Sequence, residues 1–331
     1  MVLVTGGTGL VGSHLLLKLV NQQEQIRAIY RDKTKLKVVK KVFSYYSTDP
    51  ESLFKEIEWI KADLTDIYAL QNAFQGISKV YHCAAHISFD PKEYFELRKV
   101  NIEGTANVVN LCLSEAIEKL CYVSSISTLG NTNDNTLIDE ETHWDPEADN
   151  SVYGITKYGA EMEVWRGTQE GLNAIIVNPG IIIGPGFWES GSGSLFKKIH
   201  SGLRYYVTGT SGYVDVEDVV NCMIQLMQSD SSNERFILIS ENLSFKEFTE
   251  LASKHLDVKA PSKSVSPMML QIGWRMDWLR SRVTGKPRQL TKQNANTALS
   301  ITNYDNHTVI RSLDFSFKPM KESIEFVANI F

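Results

Sequence analysis

The chain has 331 residues, of which 43% are hydrophobic and 22% charged, as in an ordinary globular protein that can bury a substantial core. The net charge is −5, and the basic residues are dispersed apart from a lysine cluster between residues 33 and 41, which argues against nucleic acid as a partner. No apolar run approaches the length of a membrane span, so we expect no membrane partner.

Short β-branched runs alternate with longer amphipathic segments from residue 2 to about residue 178. This alternation predicts an α/β fold of the Rossmann type, a doubly wound parallel sheet that binds ligands at the carboxyl ends of its strands. The predicted strands are 2–5, 26–30, 57–61, 79–83, 119–124 and 173–178, and the predicted helices are 10–21, 66–75, 92–116 and 151–170.

The pattern loosens after residue 183, with a strand predicted near 205–208, a strand and helix at 213–229, and mostly helices beyond. We interpret this part as a smaller, mainly helical C-terminal lobe that binds substrate. Residues 1–183, with about 213–230, form the predicted dinucleotide-binding domain. Residues 184–212 and 231–331 form the predicted substrate-binding lobe.

The cysteines and histidines indicate neither a disulfide frame nor a metal site. The cysteines are widely spaced inside apolar runs, so we expect reduced core residues: Cys83, Cys112, Cys121 and Cys222. His82 and His86 lie four residues apart at a strand end without the glutamate of a zinc helix motif. The first strand begins at Val2 and leaves no room for a leader peptide, so the expectation is a cytoplasmic enzyme.

The stretch TGGTGLVG, residues 5–12, joins the first predicted strand to the first predicted helix. Its glycines fit two registers, Gly6/Gly9/Gly12 and Gly7/Gly9/Gly12. Free amides and the positive dipole end of the helix face this loop, which suits a diphosphate. A glycine loop between a strand and a helix therefore predicts dinucleotide binding, although tight turns use glycine as well.

SVYGITKYG supplies Tyr153 and Lys157, which a helix places one turn apart on one face. An ammonium about 4 Å from a phenol is worth roughly 4 kcal/mol, or about three pKa units. We therefore expect the pKa of Tyr153 to fall to near 7, where it can act as a general acid or base. YVSSIS places Ser124 and Ser125 at the end of a buried strand, within reach of a substrate oxygen beside Tyr153.

Several motifs occur together in order: TGGTGLVG, KADL at 61–64, CAA at 83–85, VNIEGT at 100–105, the serine strand, YxxxK and NPG at 178–180. With them the chain resembles the extended short-chain dehydrogenase/reductases, and most closely the branch of dihydroflavonol reductases and hydroxysteroid dehydrogenases. The resemblance implies the register Gly6/Gly9/Gly12 and a catalytic Ser125, which lies five residues before Gly130. Ser124 is the alternative serine.

The resemblance also implies the remaining site residues. Ser125, Tyr153, Lys157 and Asn101 are the catalytic set, where Asn101 supports a water relay to Lys157 or, equally, only packs its helix. The cofactor-binding set is Thr5, Gly6, Gly7, Thr8, Gly9, Leu10, Val11, Gly12, Arg31, Lys37, Asp63, Leu64, Cys83, Ala84, Ala85, Tyr153, Lys157, Pro179, Gly180 and Ile181. The substrate-binding set is His86, Ser125, Asn178 and Phe187, with a surface loop position as the other interpretation of His86.

The end of the second strand bears on the choice of cofactor. An acidic residue there binds the 2′-hydroxyl of NAD, and a nearby arginine binds the 2′-phosphate of NADP. In IYRDKTKLK this position is Arg31, followed by Asp32, and the related reductases add a lysine that Lys37 approximates. We therefore predict NADP, with NAD possible if Asp32 takes the ribose.

Two other groups of residues have ordinary structural interpretations. Met268, Met269, Trp274, Met276 and Trp278 recur at helical spacing, which we interpret as core packing, with an apolar pocket wall as the alternative. Asp218, beside Asp215, is interpreted as the cap of the helix that follows.

Three functions fit these residues. The first is a reductase that passes hydride between a nicotinamide and the carbonyl of an apolar or aromatic small molecule, whose pocket would include Phe89, Ile183, Phe187 and Trp188. The second is a nucleotide-sugar epimerase or dehydratase with retained NAD. Against it, Ser127, Thr128 and Leu129 replace the acidic pair of the dehydratases, and Ser211 and Gly212 stand near the usual arginine. The third is a protein that senses a dinucleotide without turnover. The complete set of Ser125, Tyr153 and Lys157 argues against it, because a sensor does not need these residues. A monomer and a homodimer, paired through helices 92–116 and 151–170, are both compatible.

Overall fold

A computed structural model describes residues 1–130, 136–286, 288 and 290–331. Its strands are β1 (Val2–Thr5), β2 (Ile26–Tyr30), β3 (Ile57–Lys61), β4 (Lys79–His82), β5 (Lys119–Val123), β6 (Ala174–Pro179), β7 (Ile181–Ile183), β8 (Tyr205–Tyr206), β9 (Thr210–Asp215), β10 (Glu234–Leu238), β11 (Glu241–Ser244) and β12 (Lys263–Ser264). Its α-helices are α1 (Leu10–Asn21), α2 (Leu36–Phe43), α3 (Pro50–Lys55), α4 (Ile67–Phe74), α5 (Tyr94–Leu97), α6 (Gly104–Ser114), α7 (Val152–Gln169), α8 (Gly193–His200), α9 (Val216–Gln228), α10 (Phe245–His255), α11 (Pro267–Thr284), α12 (Lys292–Thr297), α13 (His307–Leu313) and α14 (Met320–Ile330).

The central sheet has seven parallel strands in the order β10-β6-β5-β4-β1-β2-β3. The order reverses at β1, so the carboxyl ends of β1 and β4 open a crevice where a Rossmann sheet binds its ligand. The predicted doubly wound α/β fold is therefore confirmed. The six predicted strands are present, with ends shifted by at most one residue.

The seventh strand, β10, was missed, because the sequence analysis interpreted the chain after residue 230 as helical lobe. Its apolar run, Phe236 to Leu238, is too short for periodicity to separate strand from helix. It pairs with β6, where Phe236 lies opposite Val177, and its side chains enter the buried core.

Two hydrophobic clusters cover the faces of the sheet, one built around α1 and α9 and the other around α4, α6 and α7. A third cluster joins α8, α10 and α14 in the C-terminal lobe, beside a small sheet of β11, β9 and β7. The four cysteines are free thiols, as expected. Among the described residues, no helix is long and apolar enough to cross a membrane.

The predicted helix 92–116 is present, but it is not α-helical throughout. Between α5 and α6 the turns widen into a π-helical segment, Arg98–Glu103, so that α5, this segment and α6 form one continuous rod. Such widened turns occur often at functional sites.

Two structural interpretations from the sequence are wrong. Asp215, not Asp218, caps α9, since its carboxylate accepts the Glu217 amide at 2.7 Å, whereas Asp218 accepts the Lys318 amide at 2.8 Å. The Met and Trp residues of α11 are not core either: Met268 is 72% exposed, Met276 67% and Trp278 45%. The residues that α11 buries are instead Leu270 and Ser281.

Candidate active site

A cleft of about 190 Å³, open to solvent, lies at the carboxyl ends of β1, β2, β3 and β4. Most of the predicted cofactor set that follows these strands lines it: Gly6, Thr8, Gly9, Arg31, Asp63, Leu64, Cys83, Ala84 and Ala85. His86, predicted to bind substrate, also lines this cleft, as does Asp32, the alternative ligand of the ribose; Ile29, Lys35, Ala62 and Val100, which the predicted site sets do not include, line it too.

The backbone geometry of the glycine loop favours one of the two possible glycine registers. Gly6 has a φ of +69°, and a Cβ there would lie 2.5 Å from the backbone nitrogen of Ala84. A Cβ on Gly12 would lie 2.2 Å from the carbonyl oxygen of Gly6, so α1 packs directly on the loop. Gly7 contacts only the movable Leu16 side chain this closely. The strict backbone requirements thus fall on Gly6 and Gly12.

Gly9 has a different basis. A Cβ there would meet its nearest neighbour, the Gly6 carbonyl oxygen, only at 3.4 Å, so protein packing alone tolerates a side chain. It is also the N-cap of α1 and lines the cleft, and the first turn of this helix contains no acidic residue and receives no side-chain cap. Because Gly9 has no side chain, a pyrophosphate could come close to the backbone at the N-terminus of α1. The residues present therefore fit a dinucleotide.

Other residues of the loop lie behind it. Thr5 is fully buried, and its hydroxyl lies 2.6 Å from Nδ1 of His82. Val11 and Gly12 are also buried, so these three support the loop while Gly6, Thr8 and Gly9 form its surface.

Charged side chains of both signs line the far end of the cleft: Arg31, Lys35, Asp32 and Asp63. Arg31 is 58% exposed at its side chain, and its guanidinium lies 3.8 Å from the carboxylate of Asp63. The neighbouring Asp32 caps a short 3-10 turn, where one carboxylate oxygen accepts the Thr34 amide at 2.9 Å and the Thr34 hydroxyl at 2.7 Å. Lys35 lines the cleft here, whereas the predicted Lys37 is exposed in the first turn of α2.

Hydrogen bonds keep both carboxylates ionised. The pKa of Asp32 is lowered, first by the Thr34 hydroxyl and then by the Thr34 amide. For Asp63 burial is the largest effect and raises the pKa, but the Thr65 amide and hydroxyl together with Arg31 outweigh it, so the net shift is downward.

Ser125 and Tyr153 lie side by side beyond β5. Ser125 begins a 3-10 turn and is half-buried, and its hydroxyl lies next to the phenol of Tyr153, whose pKa it lowers. Tyr153 enters from the first turn of α7, which Ser151 caps through the Gly154 amide at 2.8 Å. The ring of Phe89 packs against Tyr153 with 5.5 Å between centroids.

The expected pKa of Tyr153 is wrong for this structure. Its phenol is enclosed by protein although the residue as a whole is half-buried, and burial raises the pKa to about 12 against the opposing Ser125 hydrogen bond. The physical reason is that the Lys157 ammonium is engaged elsewhere. Its Nζ donates to the phenol oxygen of Tyr122 at 2.6 Å and to the carbonyl of Val123 at 2.8 Å.

Burial also acts on Lys157, which is 1% exposed, and lowers its pKa to about 7 against the attraction of Glu161. Its Nζ lies 4.3 Å from the centre of the Tyr122 ring, in addition to donating a hydrogen bond to the phenol oxygen of that residue. Tyr122 is itself fully buried, and the hydroxyl of Thr105 lies next to its phenol and 3.0 Å from Nε2 of His82. Buried polar groups thus connect Lys157 to the strand end that carries the glycine loop. The sequence analysis missed Tyr122, because one tyrosine in a buried apolar strand gives no signal of its partner.

The two serines have different partners. Ser124 is buried and donates to Oε2 of Glu161 at 2.6 Å, so Ser125 is the serine that faces Tyr153. Glu161 is itself fully buried and lies 3.3 Å from the guanidinium of Arg235. Asn178, predicted to bind substrate, is buried beneath the serines and donates to Glu161 at 3.0 Å and to the Ser125 carbonyl at 3.2 Å.

Asn101 lies in the π-helical segment and holds the loop after β4. Its side-chain oxygen accepts the His86 amide at 2.7 Å, and its Nδ2 donates to the His86 carbonyl at 3.0 Å and to the Thr156 hydroxyl at 3.1 Å. The His86 ring lies 2.8 Å from a carboxylate oxygen of Glu93. These contacts explain why an asparagine stands at this position; the predicted water relay stays a prediction.

The other predicted residues lie one strand further along. Pro179 ends β6 and Gly180 and Ile181 lead into β7, beside the end of β5. Phe187 is half-buried against the cluster around α1 and α9. Ile183 is fully buried in the lobe cluster, and Trp188 packs against the same cluster, so these two belong to lobe packing rather than to an open pocket.

The family model of the NAD-dependent epimerase/dehydratase family matches residues 2–238, the part of the chain that contains this cleft. The chain belongs to this family. A putative dihydroflavonol 4-reductase of Synechocystis sp. is 27% identical over 97% of the chain and 91% of that protein. A bifunctional dihydroflavonol 4-reductase/flavanone 4-reductase of Malus domestica is 28% identical over 79% of the chain and 78% of its own length. The crystal structure of gox2253 superposes with a TM-score of 0.83 at 25% identity, covering 99% and 97% of the two chains.

The resemblance to the extended short-chain enzymes is therefore confirmed, and the chain is an NAD(P)-dependent enzyme of that type. Within the described part of the chain, no group of three or more His, Cys, Asp or Glu side chains is arranged to hold a metal ion. Ser125 and Tyr153 lie beyond the end of β5, where Lys157 also binds the Val123 carbonyl, and a hydroxyl, a phenol and an amine are groups of the kind that hold an oxygen atom and exchange a proton with it.

Proposed function

We propose that this enzyme transfers hydride between a nicotinamide dinucleotide and the carbonyl of an apolar or aromatic small molecule, with Tyr153 as general acid and base. The observation that carries the proposal is the position of the Ser125 hydroxyl next to the phenol of Tyr153, with the ring of Phe89 packed against that phenol ring and the dinucleotide cleft close by.

The bound nicotinamide supplies the hydride in the reductive direction and accepts it in the oxidative one. In reduction, the Ser125 hydroxyl donates to the carbonyl oxygen and orients it. Tyr153 gives the proton that completes the alcohol. Lys157 compensates the phenolate that remains, which requires its ammonium to act on Tyr153 as well as on Tyr122.

The mouth of the site supports an apolar substrate. Phe89 is 44% exposed and Ile87 60%, and both belong to the loop that contacts Tyr153. β9 carries Ser211 and Gly212 where the nucleotide-sugar enzymes have an arginine, and a Cβ on Gly212 would lie 2.2 Å from Ile239. No basic side chain therefore fits at Gly212 to bind a sugar diphosphate, which favours the reductase over the epimerase.

We further propose that NADPH is the preferred cofactor. Arg31 lines the cleft with an exposed guanidinium, and Lys35 lies beside it. Asp32 is the residue that would select NAD, but one of its carboxylate oxygens already accepts two hydrogen bonds from Thr34. Gly6, Gly9 and the first amides of α1 would hold the diphosphate.

The substitution Tyr153→Phe tests the chemistry. We expect turnover to fall by about two to four orders of magnitude, because proton transfer needs the hydroxyl. Cofactor affinity should stay nearly unchanged. The measurement is steady-state turnover on a confirmed carbonyl substrate, with cofactor affinity from calorimetry. Tyr68→Phe on exposed α4 is the matched control. Near wild-type turnover of Tyr153→Phe would remove Tyr153 from the mechanism.

Arg31→Ala tests the cofactor. A charge-assisted hydrogen bond is worth roughly 1.5 to 3 kcal/mol, so NADPH should bind about ten- to one-hundred-fold more weakly while NADH changes much less. Dissociation constants for both cofactors decide it, with exposed Arg311→Ala as control. A wild type that prefers NADH, or equal losses for both cofactors, contradicts the assignment.

The substrate class is tested with a panel of aromatic and aliphatic ketones and aldehydes, following oxidation of NADPH and NADH. Absorbance of the freshly purified protein shows whether a dinucleotide is retained. Retained NAD together with micromolar binding of a nucleoside-diphosphate sugar would establish the epimerase reaction instead.

A further inference from the structure

Helix α11 presents an apolar stripe to solvent. Five of its residues are each 48–77% exposed and recur at intervals of three or four: Met268, Ile272, Met276, Leu279 and Val283. At 3.6 residues per turn they fall within an arc of about 100°. Leu270 and Ser281, the residues that the helix buries, lie on the opposite side. The stripe therefore points away from the protein.

Basic residues flank this stripe. On the helical wheel Arg275 and Arg282 fall on one border and Arg280 on the other. Arg275 and Arg282 lie on the rings of Trp274 and Trp278, at 4.4 and 5.4 Å from the ring centres. Residues 267–288 contain five basic residues and one acidic residue, a local charge of +4 in a chain whose net charge is −5.

The helix adjoins the mouth of the active site. Lys92 Nζ donates to the hydroxyl of Ser281 at 3.3 Å, and the Arg288 amide donates to the carboxylate of Asp90 at 3.0 Å. The loop that makes these contacts also contains Phe89, which packs on Tyr153. Phe95, a few residues beyond this loop, is a further exposed apolar side chain at 81%.

We propose that α11 is an interfacial helix that binds the surface of an anionic phospholipid bilayer, with its apolar stripe in the headgroup region and with Arg275 and Arg282 on the lipid phosphates. A wide apolar face bordered by arginine and tryptophan is the pattern of helices that lie in a membrane interface without crossing it. A second copy of the chain fits less well, because a two-fold interface through α11 would bring two faces of charge +4 together. The sequence analysis expected no membrane partner because it considered spanning segments alone.

This binding stands independently of the reaction, but its consequence rests on the proposed function. An apolar carbonyl substrate dissolved in the bilayer would meet the entrance beside Phe89 without passing through water.

The test uses the purified full chain and co-sedimentation with vesicles of phosphatidylcholine, with and without phosphatidylglycerol, at low and high salt. We expect binding to the anionic vesicles that is at least about tenfold stronger than to phosphatidylcholine alone and that weakens with salt. The triple variant Met268→Ser, Met276→Ser, Val283→Ser should lose at least about tenfold in affinity. Ile67→Ser, Tyr68→Ser on α4 is the matched control, since those residues are also exposed.

A second variant, Arg275→Gln, Arg282→Gln, Lys286→Gln, keeps the apolar stripe and should lose the preference for phosphatidylglycerol and most of the salt dependence. Equal affinity of the wild type for both vesicle types, or no binding to either, overturns the proposal. So does a wild-type dimer that the triple serine variant converts to a monomer, because α11 would then be a self-association face. None of these readouts requires a substrate, so a failure here is separate from a failure of the carbonyl panel.

Discussion

The hydroxyl of Tyr122 is the closest partner of Lys157, at 2.6 Å inside the protein. An acceptor favours the charged form of an amine, so Tyr122→Phe should move the pKa of Lys157 below its value of about 7. If protonated Lys157 is the active form, the alkaline limb of kcat/KM moves to lower pH. The variant should also lose about 1 to 3 kcal/mol of the free energy of unfolding, because a buried donor loses its acceptor.

The measurement is the pH profile of kcat/KM together with urea unfolding. Tyr81→Phe, a buried tyrosine on the neighbouring strand β4, is the control. An unchanged pH profile in Tyr122→Phe would reduce Tyr122 to a packing residue.

At the scale of single residues, sequence reasoning was strongest where the backbone dictates the residue type. The conformation of Gly6 and the contact of Gly12 need glycine whatever surrounds them, and they belong to the predicted register. The pKa of Tyr153 could not be predicted in the same way. It depends on burial and on the direction of the Lys157 side chain, and helical spacing determines neither.

Among the elements, α7 and β10 are joined by the buried ion pair of Glu161 and Arg235. Arg235 also donates to the Glu140 carbonyl and so fastens the segment after the serine turn. Arg235→Met leaves the carboxylate of Glu161 buried without its cation, and we expect the free energy of unfolding to fall by about 3 kcal/mol.

Urea unfolding measures this loss. The double variant Glu161→Gln, Arg235→Met should recover part of it, because the uncompensated charge is gone. Lys119→Met is a matched control because it also removes a largely buried cation. The Nζ of Lys119 donates to the carbonyl oxygens of Leu226 and Ser229 and not to a carboxylate. If Arg235→Met lowers the free energy of unfolding by less than about 1 kcal/mol, the serine and asparagine donors around Glu161 are enough to stabilise its buried carboxylate without the arginine.

The elements themselves were predictable in proportion to their regularity. β1 to β6 are strands with strong apolar runs, and α1 has the predicted bounds. β10 and α11 were not predictable because their type or exposure depends on partners. A short apolar run becomes a strand only where β6 offers an edge, and a stripe of methionines is core only where something covers it.

For the molecule as a whole, two buried histidines link stability to pH. Burial lowers the pKa of His14 to about 4 and that of His82 to about 3, below the ordinary value of 6.5. Both are therefore neutral in the folded state, while the unfolded chain takes up protons as the pH falls through 6.5. The stability that they contribute is complete above this pH and is lost progressively on acidification.

Asp218 acts in the opposite direction. Burial raises its pKa to about 6, so its contribution is present below its ordinary value of 3.8 and is lost as the pH rises through 6. The two histidines outweigh it, and the free energy of unfolding should fall by about 2 kcal/mol between pH 7 and pH 5. Urea midpoints at both pH values measure this. His14→Leu should reduce the dependence on pH, whereas exposed His200→Leu should not; equal slopes in all three proteins would exclude His14.

Because the π-helical turns at Arg98–Glu103 hold more residues than α-helical turns, the side chains of α5 and α6 do not follow a single α-helical spacing. The phase of α6 is fixed by Thr105 against His82, and that of α5 by the loop that forms the entrance. The entrance loop and the buried polar groups around His82 therefore contact different parts of one rod, with the widened turns and the side chain of Asn101 between them.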